Sequence, residues 1–217
     1  LGGAQLDSFL FAVDPAQRRR LRAMGAGQGA GWASALAPAL AASGAARARL
    51  ERVLEGGGVV VTTGQQPGLF GGPIYTWSKA ISALALADVL EARTGVPVAP
   101  IFWADTDDSD FPESSWTMIA LPGGAGELRM DGAPAPGLSM SQVPLGDVSA
   151  LIDRLERSAG SAAWREPLVA VRHAYTADRT VGSAYVDLLR AILEPIGMAV
   201  LDAAHPAVRR AASPSLR

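Results

Sequence analysis

Residues 59–80 read VVVTTGQQPGLFGGPIYTWSKA, and this stretch decides the fold. The run that opens it, Val59 to Val61, is continuous and β-branched, which is typical of a strand buried on both faces. A glycine-rich loop follows, and Pro73 occupies a favoured first position for a helix that runs to about Arg93. The apolar residues of that helix recur at helical spacing, and they are Ile74, Trp77, Ile81 and Leu84.

A second apolar run follows this helix. Gly95 and Pro97 end the helix, and Val98 to Trp103 is again without a charged or hydroxyl-bearing residue. A strand, a helix and a strand in this order normally form a parallel right-handed crossover. Further along the chain, Gly197 leads into another short strand, Met198 to Leu201. We therefore expect an α/β fold built on a parallel sheet.

Helical sequence precedes this unit. We expect residues 1–57 to form a helical segment, in which the apolar run Phe9 to Val13 is followed by a solvated basic helix face, Arg18 to Arg22. Trp32 to Leu54 is rich in alanine and is expected to be helical in two pieces on either side of Pro38. The side chains of this region that are expected to face inward are Leu50, Val53 and Leu54.

Residues 58–217 are expected to form the core, with an inserted segment around residues 114–146. Within the insertion, Trp116 to Leu121 and Leu128 to Met130 are typical of a strand pair around a glycine-rich turn. Two more helices are expected after it. Their apolar positions are Val148, Leu151, Ile152 and Leu155 in the first and Tyr185, Leu188, Leu189 and Ile192 in the second.

Composition and charge exclude several classes of protein. Against 21 acidic side chains there are 19 basic ones, and no basic block is large enough to hold a nucleic-acid backbone. Without cysteine there is no thiolate nucleophile and no cysteine-ligated metal, and two histidines leave little for a zinc site. Met24 to Ala46 carries no charge, but it is too weakly hydrophobic to span a bilayer. We therefore expect neither nucleic acid nor a membrane as a partner.

The two ends of the sequence bear on where the protein works. The first residues, Leu1 to Gly3, include no initiator methionine. A signal peptide is not expected, because the start of the sequence lacks a basic segment followed by an apolar one. A cytoplasmic protein is therefore expected. The last residues, Pro206 to Arg217, are typical of the opening of a helix, so the chain is expected to be a fragment of a longer protein.

The loop from Thr63 to Gly72 is the first candidate site. It is neither a Walker loop nor the spaced glycine triplet of dinucleotide-binding folds. Its glycines would let the backbone approach a ligand, and the following helix N-terminus favours a phosphate or carboxylate. Lys79 could reach back to the same anion, with Tyr75 one turn before it on the same face. The alternative is a tight structural turn with Lys79 merely solvated.

The run from Asp105 to Asp110 is the second candidate site, with four carboxylates in six residues. Their mutual repulsion is costly unless water, a cation or a cationic substrate balances it. A calcium loop is excluded because Asp110 stands where glycine is needed and Trp116 where glutamate is needed. A magnesium-nucleotide site, a binder of amino groups and a solvated acidic turn remain open.

Three further residues are weaker candidates. Asp202 ends the Met198 strand at the same expected sheet edge, where it could be a third acid or a helix cap. His173 and His205 are isolated in sequence, and both are expected to be structural or exposed.

The run from Thr62 to Lys79 resembles the N-terminal part of the bacillithiol-synthesis cysteine-adding enzymes. The segments that carry the resemblance are Thr63 to Phe70 and Gly72 to Thr76. Pro97 to Glu113 continues it, with Phe102-Trp103 followed by Asp107-Asp108 and Asp110-Phe111, and Gly197 to Pro206 continues it more weakly. The resemblance extends over nearly the whole chain, and members of the family are more than twice as long.

That resemblance implies a Rossmann-like core of the class I aminoacyl-tRNA synthetase nucleotide-binding type. It also implies a C-terminal coiled coil, used in homodimer formation, that this chain lacks. The implied activity is a carbon–nitrogen ligase reaction, in which the carboxyl group of cysteine is joined to the amine of glucosaminyl malate. ATP is the expected activating cofactor, with Mg²⁺ as a possible companion and no resident metal.

The site residues follow from the two loops and the resemblance together. Asp107, Asp108, Asp110 and Lys79 are the expected catalytic residues. Substrate or nucleotide is expected to contact Thr63, Gly64, Gln65, Gln66, Gly68, Gly72, Tyr75 and Ser109. Ser109 and Ser78 stand where the family often has histidine, so a proton-transfer role at position 109 would be lost or moved. The alternative function is a degenerate domain that binds a nucleotide or sugar phosphate without ligase activity.

Overall fold

A computed structural model describes residues 31–160 and 165–213. The expectations for Phe9 to Val13 and Arg18 to Arg22 lie outside the described residues. Within the described part, no helix is both long and apolar enough to cross a membrane. The expected α/β architecture is present, because helices pack against a parallel sheet at its centre.

Two helices precede the sheet, α1 (Gly31–Leu40) and α2 (Gly44–Gly56). The two expected helical pieces are present, but the break falls after Leu40 rather than at Pro38, which lies within the last turn of α1. Ala41 marks this break with a φ of 40°. Leu50 and Val53 are buried as expected, whereas Leu54 is exposed. Leu54 is one position beyond Val53 and therefore points about 100° away from it around the helix.

The strand–helix–strand unit is confirmed. It consists of β1 (Val59–Gln65), α3 (Ile74–Thr94) and β2 (Val98–Ala104). β1 and β2 are parallel and in register from Val59 opposite Val98 to Gln65 opposite Ala104. The later strand β5 (Ala199–Asp202) pairs in parallel with the other side of β2, which gives the order β1-β2-β5. The central position of β2 explains why its sequence is almost wholly apolar.

Helix α3 forms, but its larger apolar residues do not all face the sheet. Ile74 is 83% exposed and Ile81 is 60% exposed, while Trp77 and Leu84 are half-buried. Small residues take the buried positions, so the helix lies close to the sheet. Ala80 and Ala83 join a cluster that includes Phe102 of β2. The buried residues of α3 are Thr76, Ala80, Ala83, Ala87 and Thr94.

A short helix, α4 (Phe111–Ser114), leads into an antiparallel hairpin of β3 (Trp116–Leu121) and β4 (Gly124–Arg129). The second strand was expected at Leu128 to Met130. It begins earlier because Leu121 pairs directly with Gly124, so the turn has only two residues, Pro122 and Gly123. Gly123 has a φ of 89°, a backbone region that glycine adopts readily.

The remaining helices are α5 (Ser149–Ala159), α6 (Glu166–Ala174), α7 (Val181–Leu193) and α8 (Pro206–Ala212). α7 is the central one, because its residues contribute to two apolar clusters. Tyr185 and Leu189 pack with the sheet and α3, while Leu188 packs with the hairpin and the helices beyond it. Two short 3₁₀ turns, Leu69–Gly71 and Glu194–Ile196, complete the described elements.

Candidate functional site

The three parallel strands end together, and their ends bring the two candidate loops side by side. The N–H of Asp105, the first residue after β2, donates to the carbonyl of Gln65 at the end of β1, over 3.0 Å. On the other side, the N–H of Ala203 donates to the carbonyl of Ala104, also over 3.0 Å. Open α/β sheets bind ligands at this carboxyl edge. The glycine-rich loop begins later than expected, because residues 63–65 belong to β1.

Lys79 reaches back to this edge, as expected from the lean of helical side chains. Its Nζ donates to Oε1 of Gln65 over 2.7 Å and lies 3.5 Å from the carbonyl of Gly64. The same Nζ is 5.3 Å from the centre of the Tyr75 ring. Within the described residues these partners are neutral, so the positive charge stays available to an anion.

A chain of amides and a phenol extends from Lys79 along the edge. Nε2 of Gln65 donates to Oε1 of Gln66 over 2.7 Å and to the hydroxyl of Tyr75 over 3.3 Å. Tyr75 is 42% exposed, so solvent or a ligand can contact its ring and hydroxyl. The four side chains together offer one cation and several hydrogen-bonding groups, which suits a carboxylate or a single phosphate group.

The glycines of the loop are required by packing against protein atoms. A Cβ on Gly64 would lie 2.6 Å from the carbonyl oxygen of Trp103, and one on Gly68 would lie 2.5 Å from the Cα of Gly72. A Cβ on Gly71 would lie 2.4 Å from the Trp77 ring. Close folding of the loop is therefore sufficient to explain these glycines. That they also let a ligand approach the backbone stays a prediction.

Contacts of Phe70 and Tyr175 stabilise the conformation of the glycine-rich loop. Phe70 has a φ of 54°, a left-handed conformation that is uncommon for a side chain of this size. Its ring packs edge-on against the Tyr175 ring at 5.0 Å, and the Tyr175 hydroxyl donates to the carbonyl of Gly68 over 3.2 Å. Burial raises the pKa of Tyr175, so it remains a neutral donor. No local sequence pattern indicated a role for Tyr175, because its partners are about a hundred positions away.

Pro73 precedes α3 as its N-cap and is not its first helical residue. Its carbonyl accepts the N–H of Thr76 over 2.9 Å, and its own side chain makes no capping hydrogen bond. The first N–H groups of a helix have no intrahelical partners and carry partial positive charge. The helix end therefore reinforces the charge that Lys79 brings to the edge.

The acidic run begins with a tight turn, in which the N–H of Asp108 donates to the carbonyl of Asp105 over 3.2 Å. Asp105 is half-buried, whereas Asp107 is exposed. Burial, a hydrogen bond to the Asp107 carboxyl and repulsion from Asp107 and Asp108 raise the pKa of Asp105 to about 6, against a lowering contribution from Trp103. We call Asp105 and Asp107, which lie on either side of Thr106 in this turn, the carboxyl pair. Asp105 was not among the catalytic residues expected from the sequence, although its position in the acidic run could have indicated it.

The other acids of the run have local partners. Oδ1 of Asp108 accepts the N–H of Ser109 over 2.8 Å, and Oδ1 of Asp110 caps α4 by accepting the N–H of Glu113 over 3.0 Å. Ser109 is exposed. Among the described residues, no three acidic or histidine side chains converge to hold a metal ion. A magnesium ion here would thus need phosphate oxygens as well as one or two carboxylates.

Asp202 is neither a free third acid nor a helix cap. Its Oδ1 accepts the hydroxyl of Thr106 and the N–H of Ala204. His205 caps α8, since its Nδ1 accepts the N–H of Ala207 over 3.1 Å. His173 is exposed on α6. Both histidines thus have the structural or exposed positions that were expected of them.

Two sizeable cavities lie away from this edge. One of about 650 Å³ is lined by Arg49, Asp88 and Glu91. Because Arg49 also donates to the carbonyl of Val98, the first residue of β2, this cavity lies at the opposite end of the sheet. Another, of about 360 Å³, is apolar and is lined on one side by Phe70 and Trp77. The lining of these two cavities does not include Lys79 or the carboxyl pair. The candidate site is therefore identified by its charges and hydrogen bonds and not by the volume of a cavity.

Residues 34–217 match the family model described as bacillithiol biosynthesis BshC, N-terminal Rossmann-like domain. This match covers most of the chain. It includes the glycine-rich loop, Lys79 and the acidic run, and it agrees with the parallel sheet.

Several similar proteins carry the name "Putative cysteine ligase BshC". One from Solibacter usitatus is 31% identical over 185 residues, covering 77% of this chain and 32% of that protein. One from Desulforamulus reducens is 33% identical over 116 residues, covering 54% and 22%. One from Heliobacterium modesticaldum is 48% identical over 73 residues, covering 34% and 13%. The chain thus spans about a third or less of the length of these relatives.

Proposed function

This chain belongs to the bacillithiol biosynthesis BshC family through that family's N-terminal Rossmann-like domain, and we propose on this premise that it carries the active site of a cysteine ligase. The reaction joins the carboxyl group of cysteine to the amine of glucosaminyl malate, with formation of an amide. The enzyme is a carbon–nitrogen ligase, and the full-length protein is a homodimer.

One observation carries the proposal. The hydrogen bond from the Asp105 N–H to the Gln65 carbonyl fixes two groups of opposite charge as neighbours on one sheet edge. On the β1 side, Lys79 offers a positive charge. On the β2 side, Asp105 and Asp107 offer negative charge. Glucosaminyl malate carries both carboxylates and an amine, so its charges complement this arrangement.

The carboxyl pair suits the proton transfer that amide formation requires. The amine attacks the acyl carbon only in its neutral form, so the ammonium group must first lose a proton. Asp105 has a pKa of about 6, closer to neutrality than that of an ordinary aspartate, which makes it a better proton acceptor. The new carbon–nitrogen bond then forms as the bond from the acyl carbon to its leaving oxygen breaks. Asp107 and Asp108 add negative charge that favours the ammonium ion.

ATP supplies the activation of the carboxyl group when it is bound. The residues that would hold its phosphates are Lys79, Gln65, Gln66 and Tyr75, together with the N-terminus of α3. The carboxylates of the acidic turn would help to hold Mg²⁺, which would supply positive charge to the nucleotide, although the described part of the protein offers no three-acid cage of its own. We propose that the core is of the class I aminoacyl-tRNA synthetase nucleotide-binding type.

The other site residues have supporting roles in this proposal. Thr63 and Gly64 shape the end of β1, while Gly68 and Gly72 fold the loop so that α3 begins beside it. Asp110 acts through the start of α4, which it caps. Ser109 is exposed beside the carboxyl pair, where a substrate hydroxyl or amine could contact it. With serine at this position, proton transfer falls to the pair of Asp105 and Asp107.

The proposal is tested with the full-length protein. Cysteine, glucosaminyl malate, ATP and Mg²⁺ are incubated with it, and the product is measured by mass spectrometry. We expect bacillithiol to accumulate, and we expect none when glucosamine without its malate replaces the acceptor. A folded protein that binds ATP by calorimetry but forms no product with any nucleotide would support the alternative, a degenerate nucleotide-binding domain.

A further inference from the structure

We propose that Thr106 and Asp202 are positioning residues, which hold the turn bearing Asp105 and Asp107 in a fixed place on the sheet edge. The role rests on the ligase function proposed above. It concerns two side chains that contact each other across the ends of β2 and β5 and that have no assigned part in the chemistry.

The Thr106 side chain is hydrogen-bonded to the end of β5, and we call this connection the tether. The side chain is 1% exposed, and its hydroxyl donates to Oδ1 of Asp202. The same hydroxyl accepts the N–H of Ala204 over 3.1 Å, and that N–H is also 3.2 Å from Oδ1 of Asp202. Both hydrogen-bonding capacities of the hydroxyl are therefore used. The tether joins the second residue after β2 to the last residue of β5, across two hydrogen-bonded strands of the sheet.

Backbone hydrogen bonds also connect the turn to Met140 and Ser141. The carbonyl of Thr106 accepts the N–H of Ser141 over 2.9 Å, and the carbonyl of Asp108 accepts the N–H of Met140 over 2.8 Å. The Met140 carbonyl in turn accepts the N–H of Gly182 in the first turn of α7. A Cβ on Gly182 would lie 2.9 Å from the backbone nitrogen of Ser141, so this support is closely packed.

Fixing Thr106 fixes the carboxyl pair, because Thr106 lies between its two members. With the Thr106 side chain buried, the half-buried Asp105 before it and the exposed Asp107 after it have fixed positions on the turn. Two carboxyl groups repel each other when both are ionised, and a free turn would let them separate. The tether opposes this separation. It keeps the carboxyl pair on the sheet edge to which Lys79 also reaches through Gln65.

The test uses the full-length protein with Thr106→Val, which removes the hydroxyl at nearly constant volume, and Thr106→Ser, which keeps it. We expect Thr106→Val to lower kcat by about 10- to 100-fold, since small misplacements of reacting groups are costly. We expect the KM for ATP to change by less than about twofold, because Lys79 is untouched. Thr106→Ser should recover most of the wild-type kcat.

Ser43→Ala is the matched control. Ser43 also donates its hydroxyl to a buried carboxylate, Glu194, over 2.5 Å, but the pair lies between α1 and α2 on one side and the end of α7 on the other. A similar loss of thermal stability is expected from this change, with kcat unaltered. If Thr106→Val lowers Tm yet keeps the wild-type kcat, the hydroxyl has only a structural role and the positioning proposal is wrong.

A second readout does not depend on turnover. Hydrogen exchange measured by mass spectrometry reports how firmly the turn is held, because the N–H groups of Asp105 and Asp108 both donate to backbone carbonyls there. In Thr106→Val the exchange of this segment should be about tenfold faster than in wild type, and in Thr106→Ser it should be close to wild type. Unaltered exchange in Thr106→Val would overturn the inference, whereas an inactive wild type with the expected exchange rates would overturn only the ligase function.

Discussion

The Nζ of Lys79 lies 2.7 Å from Oε1 of Gln65, so a cation on α3 is anchored to the last residue of β1. Lys79 is the only lysine in the sequence, and every other basic residue is an arginine. A position that needed only a solvated charge could use arginine as well. Lysine offers a compact charge whose donors can turn from the Gln65 amide to an incoming anion.

The first prediction concerns Lys79→Met in the full-length protein. Methionine keeps the length of the side chain and removes the charge. A hydrogen bond to a charged group contributes about 1.5–3 kcal/mol, so kcat/KM should fall by about 10- to 100-fold. Steady-state kinetics with varied ATP and varied glucosaminyl malate will identify which substrate's anion Lys79 binds. Unchanged constants for both substrates, with Tm preserved, would mean that Lys79 is merely solvated.

The second prediction concerns stability and pH. The folded state raises the pKa of Asp105 from 3.8 to about 6, so it favours the protonated form. The stability that this provides is complete below the unfolded pKa and is lost as pH rises through the folded pKa. Asp105→Asn should therefore stabilise the protein by about 1 kcal/mol near pH 8, a value reduced for partial exposure to solvent, and by less near pH 4.

Urea denaturation of Asp105→Asn and wild type across this pH range checks the second prediction. The same variant should have low ligase activity, because asparagine cannot accept the proton. If the stability difference between the two proteins is constant from about pH 4 to about pH 8, Asp105 does not have a raised pKa.

The third prediction concerns the packing of the glycine-rich loop. Gly68→Ala would put a Cβ 2.5 Å from the Cα of Gly72, although its φ of −145° is one that alanine adopts freely. The cost is therefore steric, and the free energy of unfolding should fall by about 2 kcal/mol. Gly124→Ala is the control, because a Cβ there meets nothing within 4 Å. Equal melting temperatures for the two variants would contradict this explanation of the loop.

The fourth prediction concerns Ser109, a position at which the resemblance to the family led us to expect histidine. Ser109 is exposed next to the carboxyl pair, so a histidine there fits without disturbing the core. An imidazole titrates near neutral pH and would add a second proton acceptor, so Ser109→His should raise kcat, while Ser109→Ala should leave it nearly unaltered. A lower kcat in Ser109→His would show that this chain uses its own serine at the position.

Local patterns were sufficient for the central unit of the fold. Two apolar runs separated by a helix with clear glycine and proline boundaries predicted β1, α3 and β2, and the parallel pairing followed from the handedness of such connections. The buried face of α3 could not be predicted in the same way. Whether Ala80 or Ile81 faces the sheet depends on how closely the helix approaches it, which its own spacing does not specify.

The candidate site was predictable where its residues are close in sequence. Lys79, Gln65 and Tyr75 meet through one strand–helix connection, and the acidic run is evident from composition. Burial within that run depends on the ends of neighbouring strands, and Asp105 and Asp108 are both half-buried, so the sequence alone did not distinguish Asp105 from its neighbours. Thr106 and Tyr175 have partners about a hundred positions away, and no local pattern indicates such contacts.

The central claim is that the two loops form one ligase site, and a crystal structure tests it most directly. The full-length protein would be crystallised with glucosaminyl malate, ATP and Mg²⁺. We predict that one bound assembly contacts both sides of the edge, with an anionic group within hydrogen-bond distance of Lys79 Nζ and the amine beside the carboxyl groups of Asp105 and Asp107. Ligands bound elsewhere, with both loops left in contact with solvent alone, would contradict the account.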